Sequence, residues 1–247
     1  MKNVVLLTTW GSPISTAYLK RLFCIDGIRL SVVYDRSEKL QSEIQRIYRE
    51  RFGDRAPVFQ PVDVIFEDIG IPNLSVSGLH SPESLKFIKG EKPYLLVLAG
   101  TGIIKKQILE IPVLGTLNCH PGILPRYRGC TCVEWAIYED EPVGASCHFV
   151  TEEIDAGDIL KKEVMPVYQD DSYLDIRLRM FTFQAELLSK TVEEIVQDEK
   201  PAISRMEKFD PEKAGYYSPI PEDKMKVVLE KIQKGLYEKA LLPRRGF

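Results

Sequence analysis

Short apolar runs alternate along the chain with longer stretches in which apolar residues recur every three or four positions. The runs at residues 4–8, 30–34 and 94–99 predict buried strands, and the last is almost wholly apolar, as expected where a parallel sheet is covered on both faces. The periodic stretches predict helices over residues 14–23, over 37–51 with Leu40, Ile44 and Ile47 on the buried stripe, and over 105–109. Trp10-Gly11-Ser12-Pro13 is a turn between the first strand and the first helix. Ser81-Pro82-Glu83 opens another helix, with Ser81 as N-cap and Pro82 in the first turn. Residues 62–79 fit neither pattern. The longest predicted helix covers 172–196, where Leu174, Leu178, Phe181, Ala185, Leu188 and Val192 share a stripe, and a later one covers 222–236. Residues 204–218 read as loop or strand. Strands separated by helices imply an α/β fold with a doubly wound, mostly parallel sheet, a main domain over residues 1–200 and a small C-terminal extension over 201–247.

Composition narrows the class of protein. A chain of 247 residues with 44% hydrophobic content has ample material for one large core. Its net charge of -3 gives no basic stripe of the kind that general nucleic-acid binding needs, so DNA is not an expected partner. MKNVVLLTTWG reads as a buried strand rather than a signal peptide, and no apolar run reaches the ~18 residues of a spanning helix. The expectation is a cytoplasmic protein away from membranes. Cysteines 24, 119, 130, 132 and 147 contain no Cys-x-x-Cys pair and read as reduced thiols. Cys130 and Cys132 lie near His120 in sequence, but their spacing is poor for zinc, and no metal is expected.

Candidate chemistry is concentrated in two segments, Asn118-Cys119-His120-Pro121 and Thr151-Glu152-Glu153-Ile154-Asp155-Ala156-Gly157-Asp158. Asn118 supplies an amide donor, His120 an imidazole and Asp155 a carboxylate, the groups an acyl transfer needs to stabilise an oxyanion and move a proton. On a strand, Asn118 and His120 point to the same face. The runs NCHPGILPRYRG and VTEEIDAGDIL together resemble the 10-formyltetrahydrofolate-dependent formyltransferases, from about Tyr94 to about Pro166. That resemblance implies Asn118, His120 and Asp155 as catalytic residues and 10-formyltetrahydrofolate as cofactor. It makes Gly102, Ile103 and Ile104, which follow a buried strand, a wall of the folate pocket, with Thr151, Glu152 and Ile154 as further cofactor contacts. On the substrate side the candidates are Gly11 and Ser12 at the first turn, where a helix N-terminus favours an anion, Pro121 and Gly122 of the first motif, and Arg126 and Arg128, loop arginines suited to bidentate phosphate binding. The turn and the arginines each have an ordinary reading beside the functional one, a tight turn for Gly11-Ser12 and solvated loop charges for Arg126 and Arg128, and His80 and His148, outside the motifs, read as structural.

The acceptor is expected to be a primary amine. Glycinamide ribonucleotide formyltransferases resemble this chain, but their first turn reads Gly-Ser-Asn, and Pro13 here removes an N–H donor. Methionyl-tRNA formyltransferases carry a sizeable C-terminal barrel, whereas about eighty residues without basic bias follow the core here. The resemblance in length and plan is to the amino-sugar N-formyltransferases, so a nucleotide-linked amino sugar is the expected acceptor. The alternatives are glycinamide ribonucleotide, methionyl-tRNA, or a non-catalytic folate- or nucleotide-binding module. A dinucleotide-dependent oxidoreductase is disfavoured because Gly11 stands alone after the first strand. Phe209, Tyr216 and Tyr217 in the tail suit a stacked base or a packed contact, including a homodimer.

Overall fold

The computed structural model describes residues 1–52, 63 and 70–243. Strand β1 (Lys2–Thr9) turns into helix α1 (Pro13–Phe23), and β2 (Ile28–Asp35), α2 (Glu38–Phe52), β3 (Asn73–Val76), α3 (Pro82–Glu91), β4 (Leu95–Ala99), the short α4 (Lys106–Leu109) and β5 (Gly115–His120) continue the alternation. Then come β6 (Arg128–Gly129), α5 (Cys132–Tyr138), β7 (Gly144–Phe149), β8 (Ile159–Val164) and the long α6 (Tyr173–Gln197). The tail adds α7 (Glu199–Ser204), β9 (Tyr216–Tyr217) and α8 (Glu222–Gln233).

Among the described residues, seven strands form one sheet in the order β3-β2-β1-β4-β5-β7-β8. Pairings from β3 through β5 are parallel, and β7 and β8 close the sheet antiparallel. The chain winds outward from β1 to β3, then restarts at β4 on the other side of β1. The carboxyl ends of β1, β4 and β5 therefore border the crevice where doubly wound sheets hold ligands. Along β1, Val4 and Leu6 pack in one apolar layer and Val5 and Leu7 in the other. Burial on both faces is why these strands read as continuous apolar runs.

Local signals set the helix ends. Ser81 accepts a hydrogen bond from the Ser84 N–H, and Ser172 and Asp175 form a reciprocal capping box that starts α6. The buried face of α6 differs from the periodicity expected: Ile176 and Met180 take the core positions, while Leu174 and Leu178 are half-buried. Apolar residues wrap past a single stripe in the first turns, so spacing alone picks the wrong edge of the face. Of the unassigned residues 62–79, positions 62 and 64–69 lie outside the described residues, and 73–76 are β3.

The tail folds back on the same body. Residues Tyr216 and Tyr217 pair in parallel with Arg128 and Gly129, and the Trp135 indole donates to the Ser218 carbonyl at 2.9 Å. Tyr217 stacks on Tyr127 at 5.2 Å between ring centroids, so its aromatic surface is used within the chain. Among the described residues, no helix is long and apolar enough to cross a membrane.

Candidate active site

Strand alternation puts Asn118 and His120 on one face of β5 and Cys119 on the other, where its carbonyl accepts from Gln184 Nε2 at 2.5 Å. The antiparallel register sets Asn118 opposite His148 and His120 opposite Ser146. Facing side chains on paired strands meet on the same face, so β7 brings a second imidazole to the first. Asn118 Nδ2 lies 3.4 Å from His148 Nε2.

Asp155 reaches this pair from the loop after β7. It adopts φ = 50°, a left-handed conformation that Asp tolerates better than most residues. The loop abuts β7 so closely that a Cβ on Gly157 would lie 1.6 Å from the Phe149 carbonyl oxygen. Only glycine fits there. One carboxylate oxygen, Oδ2, lies 3.3 Å from His120 Nδ1 and accepts from the Gly129 N–H at 3.0 Å; the other, Oδ1, lies 3.5 Å from His148 Nε2. Asp155 is thus held between two imidazoles.

Backbone carbonyls fix both rings. His120 Nε2 donates to the Tyr127 carbonyl at 2.9 Å, leaving Nδ1 to face Asp155. Gly122 allows that contact, since a Cβ there would come within 2.6 Å of the same carbonyl and 2.8 Å of His120 Nε2. His148 Nδ1 donates to the Phe149 carbonyl at 2.9 Å, so its Nε2 points at Asn118 and Asp155. Both histidines are buried, at 5% and 1% exposure. Burial alone would raise the Asp155 carboxyl, but His120, His148 and the Gly129 N–H outweigh it and hold it at about 2. Burial lowers His120 below the usual imidazole value, against the pull of Asp155. The Cys132 thiol, 3.3 Å from His120 Nε2, is pushed up by burial and by Asp155 and Glu134, so it stays protonated and is no nucleophile.

The cluster lies at one side of a cavity of about 460 Å³. Asn118, His148 and Asp155 border it, as do Gly102, Ile103, Ile104, Thr151, Glu152, Ile154, Ser12 and Pro121. His120 lies behind this wall. Ile103 and Ile154 are 71% and 40% exposed, apolar surface at the mouth, whereas Ile104 is 6% exposed and packed in the core layer of Leu98 and Ile108. Gly11, Gly122, Arg126 and Arg128 do not line the cavity. Arg126 pairs with Glu139 and Glu141 on the surface. Arg128 donates to the Ile154 carbonyl at 2.9 Å and to Glu153 at 2.6 Å, with Phe209 and Tyr216 against its guanidinium. The arginines expected near a substrate phosphate therefore brace the protein itself, Arg128 holding the loop that carries Asp155. Among the described residues, no group of three or more His, Cys, Asp or Glu is arranged to hold a metal ion.

Sequence reading left His148 as structural and did not single out Tyr48, Arg177 or Gln184, all of which line the cavity. His148 becomes visible only through the β5–β7 register. Arg177 and Gln184 left a signal, being polar residues set into the apolar face of an amphipathic helix.

A sequence model described as formyl transferase matches residues 38–192. The chain belongs to the formyl transferase family. The resemblance seen in the two motifs holds, and so does the α/β fold expected from it. The chain is 32% identical over 172 residues to a methionyl-tRNA formyltransferase of Citrifermentans bemidjiense, covering 69% of this chain and 54% of that protein. It spans about half the length of such relatives. Among solved structures, a sugar N-formyltransferase from Shewanella sp FDAARGOS_354 matches with a TM-score of 0.61 at 18% identity, over 99% of this chain and 93% of the other. A phosphoribosylglycinamide formyltransferase from Anaplasma phagocytophilum matches with a TM-score of 0.61 at 21% identity, over 79% and 87%. At these identities the shared property is the fold.

Proposed function

We propose that the protein transfers a formyl group from 10-formyltetrahydrofolate to a primary amine, that of a nucleotide-linked amino sugar. The observation that carries the reaction is the Asp155 carboxylate held between two imidazoles and beside the Asn118 amide, on the wall of a cavity in a protein of this family. Attack by the neutral amine forms a C–N bond and drives negative charge onto the formyl oxygen. One Asn118 N–H faces His148; the second is available to that oxyanion. The amine's proton must reach the folate nitrogen as the C–N bond to folate breaks. A carboxylate at about 2 is a weak base, so the flanking imidazoles carry the basicity while Asp155 stabilises each imidazolium. Folate occupies the half of the cavity walled by Gly102, Ile103, Ile104, Thr151, Glu152 and Ile154, and the acceptor occupies the half near Ser12 and Pro121.

The sugar reading is supported by the likeness to a sugar N-formyltransferase over 99% of this chain, tail included. The second reading, formylation of methionyl-tRNA, draws on the 32% identity. In both, residues 1–200 form the catalytic domain and 201–247 its extension. The test is turnover by variants: His120→Ala and Asp155→Asn lower kcat/KM by about a hundredfold or more in folded protein, the scale of a positioned acid–base group. Near-normal turnover in either variant removes the assigned chemistry.

A further inference from the structure

The cavity wall contains a cation that the formyl-transfer chemistry does not use. Arg177 on α6 borders the cavity and is only 6% exposed. Its Nε is buried without a hydrogen-bond partner, and the guanidinium makes no hydrogen bond to any described residue. It forms a buried ion pair with Glu134 at 3.6 Å and lies 6.0 Å over the Phe181 ring, but the pair is too long for a hydrogen bond, and Glu134 Oε1 already accepts from the Tyr173 hydroxyl at 2.5 Å. A guanidinium carries five donors in a planar fork, and leaving them unmet in a buried site is costly. Buried polar groups without hydrogen-bond partners are rare in folded proteins, and this side chain borders the cavity. Arg126 and Arg128 are consumed by Glu139, Glu141, Glu153 and the Ile154 carbonyl, so among these described arginines it is Arg177 that has donors to offer.

Position along the helix says how far the missing partner lies from the reacting amine. Gln184, midway along α6, borders the cavity and donates to the backbone carbonyl of Cys119, the residue next to Asn118. Arg177 lies seven residues earlier on the same face, about 10 Å along the axis, and helical side chains lean further toward the N-terminus. We propose that Arg177 docks an oxyanion of the acceptor, a phosphate or carboxylate remote from the amine, as a specificity-determining residue. A free amino acid, with its carboxylate on the carbon next to the amine, is too short to engage both. A phosphate across a sugar ring has the required reach. This deepens the amino-sugar reading and rests on it only for the choice of phosphate.

The test separates the two. Calorimetry measures binding of a nucleoside diphosphate, pyrophosphate and succinate to the wild-type protein, to Arg177→Lys, and to the double variant Arg177→Met/Glu134→Gln, which leaves no unpaired buried charge. Expected is a loss of at least about tenfold in anion affinity in the double variant, a smaller loss in Arg177→Lys because ammonium lacks the fork, and unchanged folate affinity as the control for folding. Kinetically, Arg177→Lys raises KM for a nucleotide amino sugar with little change in kcat. Undiminished anion affinity in a folded double variant, or no anion binding by the wild type, overturns the proposal. Tighter binding of succinate than of the phosphates keeps the oxyanion site and removes the sugar phosphate, so the sugar reading fails separately.

Discussion

Asp155 is the residue on which the geometry converges, and its surroundings fix the sign of two pH effects. Its carboxyl is depressed in the folded state, so the stability it contributes is present above the ordinary carboxylate value and is lost as pH falls through about 2. Activity should fall at a much higher pH, because the basic groups are imidazoles. Burial lowers His120 and Asp155 raises it, so the acidic limb of kcat/KM should lie at or below the ordinary imidazole pKa and belong to the coupled cluster rather than one ring. Removing the charge with Asp155→Asn takes away the upward pull. The residual activity should then keep an acidic limb shifted to lower pH; a limb that moves up or stays fixed argues against the Asp155–His120 coupling. His148→Ala tests the residue that sequence left as structural, and a loss comparable to that of His120→Ala is expected, since His148 is the imidazole bordering the cavity.

The loop 100–104 and the segment 151–155 line the cavity as elements, and the neighbouring Ile103 and Ile104 separate binding from folding. Ile103→Asp places a charge at the exposed mouth and should weaken folate binding about tenfold or more with an unchanged melting temperature, whereas Ile104→Asp buries a charge in the core and should cost several kcal/mol of stability. Calorimetry and thermal unfolding of the two variants check this; equal effects on folding would place both residues in the core. Arg128 acts at the same scale, linking the loop of Asp155 to the tail through Phe209 and Tyr216, so Arg128→Met should lower kcat by about a hundredfold through misplacement of Asp155. Steady kcat in that variant would reduce the contact to packing. Here the limits of sequence reading have physical causes. The strands were legible as apolar runs because both their faces are buried, and α6 from its apolar periodicity, while Asn118, His120 and Asp155 came from two motifs. His148 was hidden because cross-strand register is not a local property, and Arg128 because a loop arginine has the same local signature whether it faces ligand or its own backbone.

At the scale of the whole molecule the open question is the acceptor, and charge and cavity shape bear on it together. A net charge of -3 gives no general field to attract a polyanion, so any affinity for tRNA would have to come from a local patch and would fall steeply with salt. A nucleotide sugar needs only one or two cations, and Arg177, on the wall of the cavity that Asn118 also borders, is the proposed partner of one phosphate. Remote binding energy of that kind positions a small amine for attack, so losing the nucleotide costs turnover as well as affinity. We therefore predict that kcat/KM is highest for a nucleotide-linked amino sugar, lower for methionyl-tRNA and glycinamide ribonucleotide, and at least about a hundredfold lower for the free amino sugar, with part of that loss in kcat. Measuring the four acceptors at two salt concentrations decides it. If methionyl-tRNA is best and its rate falls steeply with salt, the acceptor assignment changes while formyl transfer stands; if no amine is formylated, the cluster around Asp155 has another use.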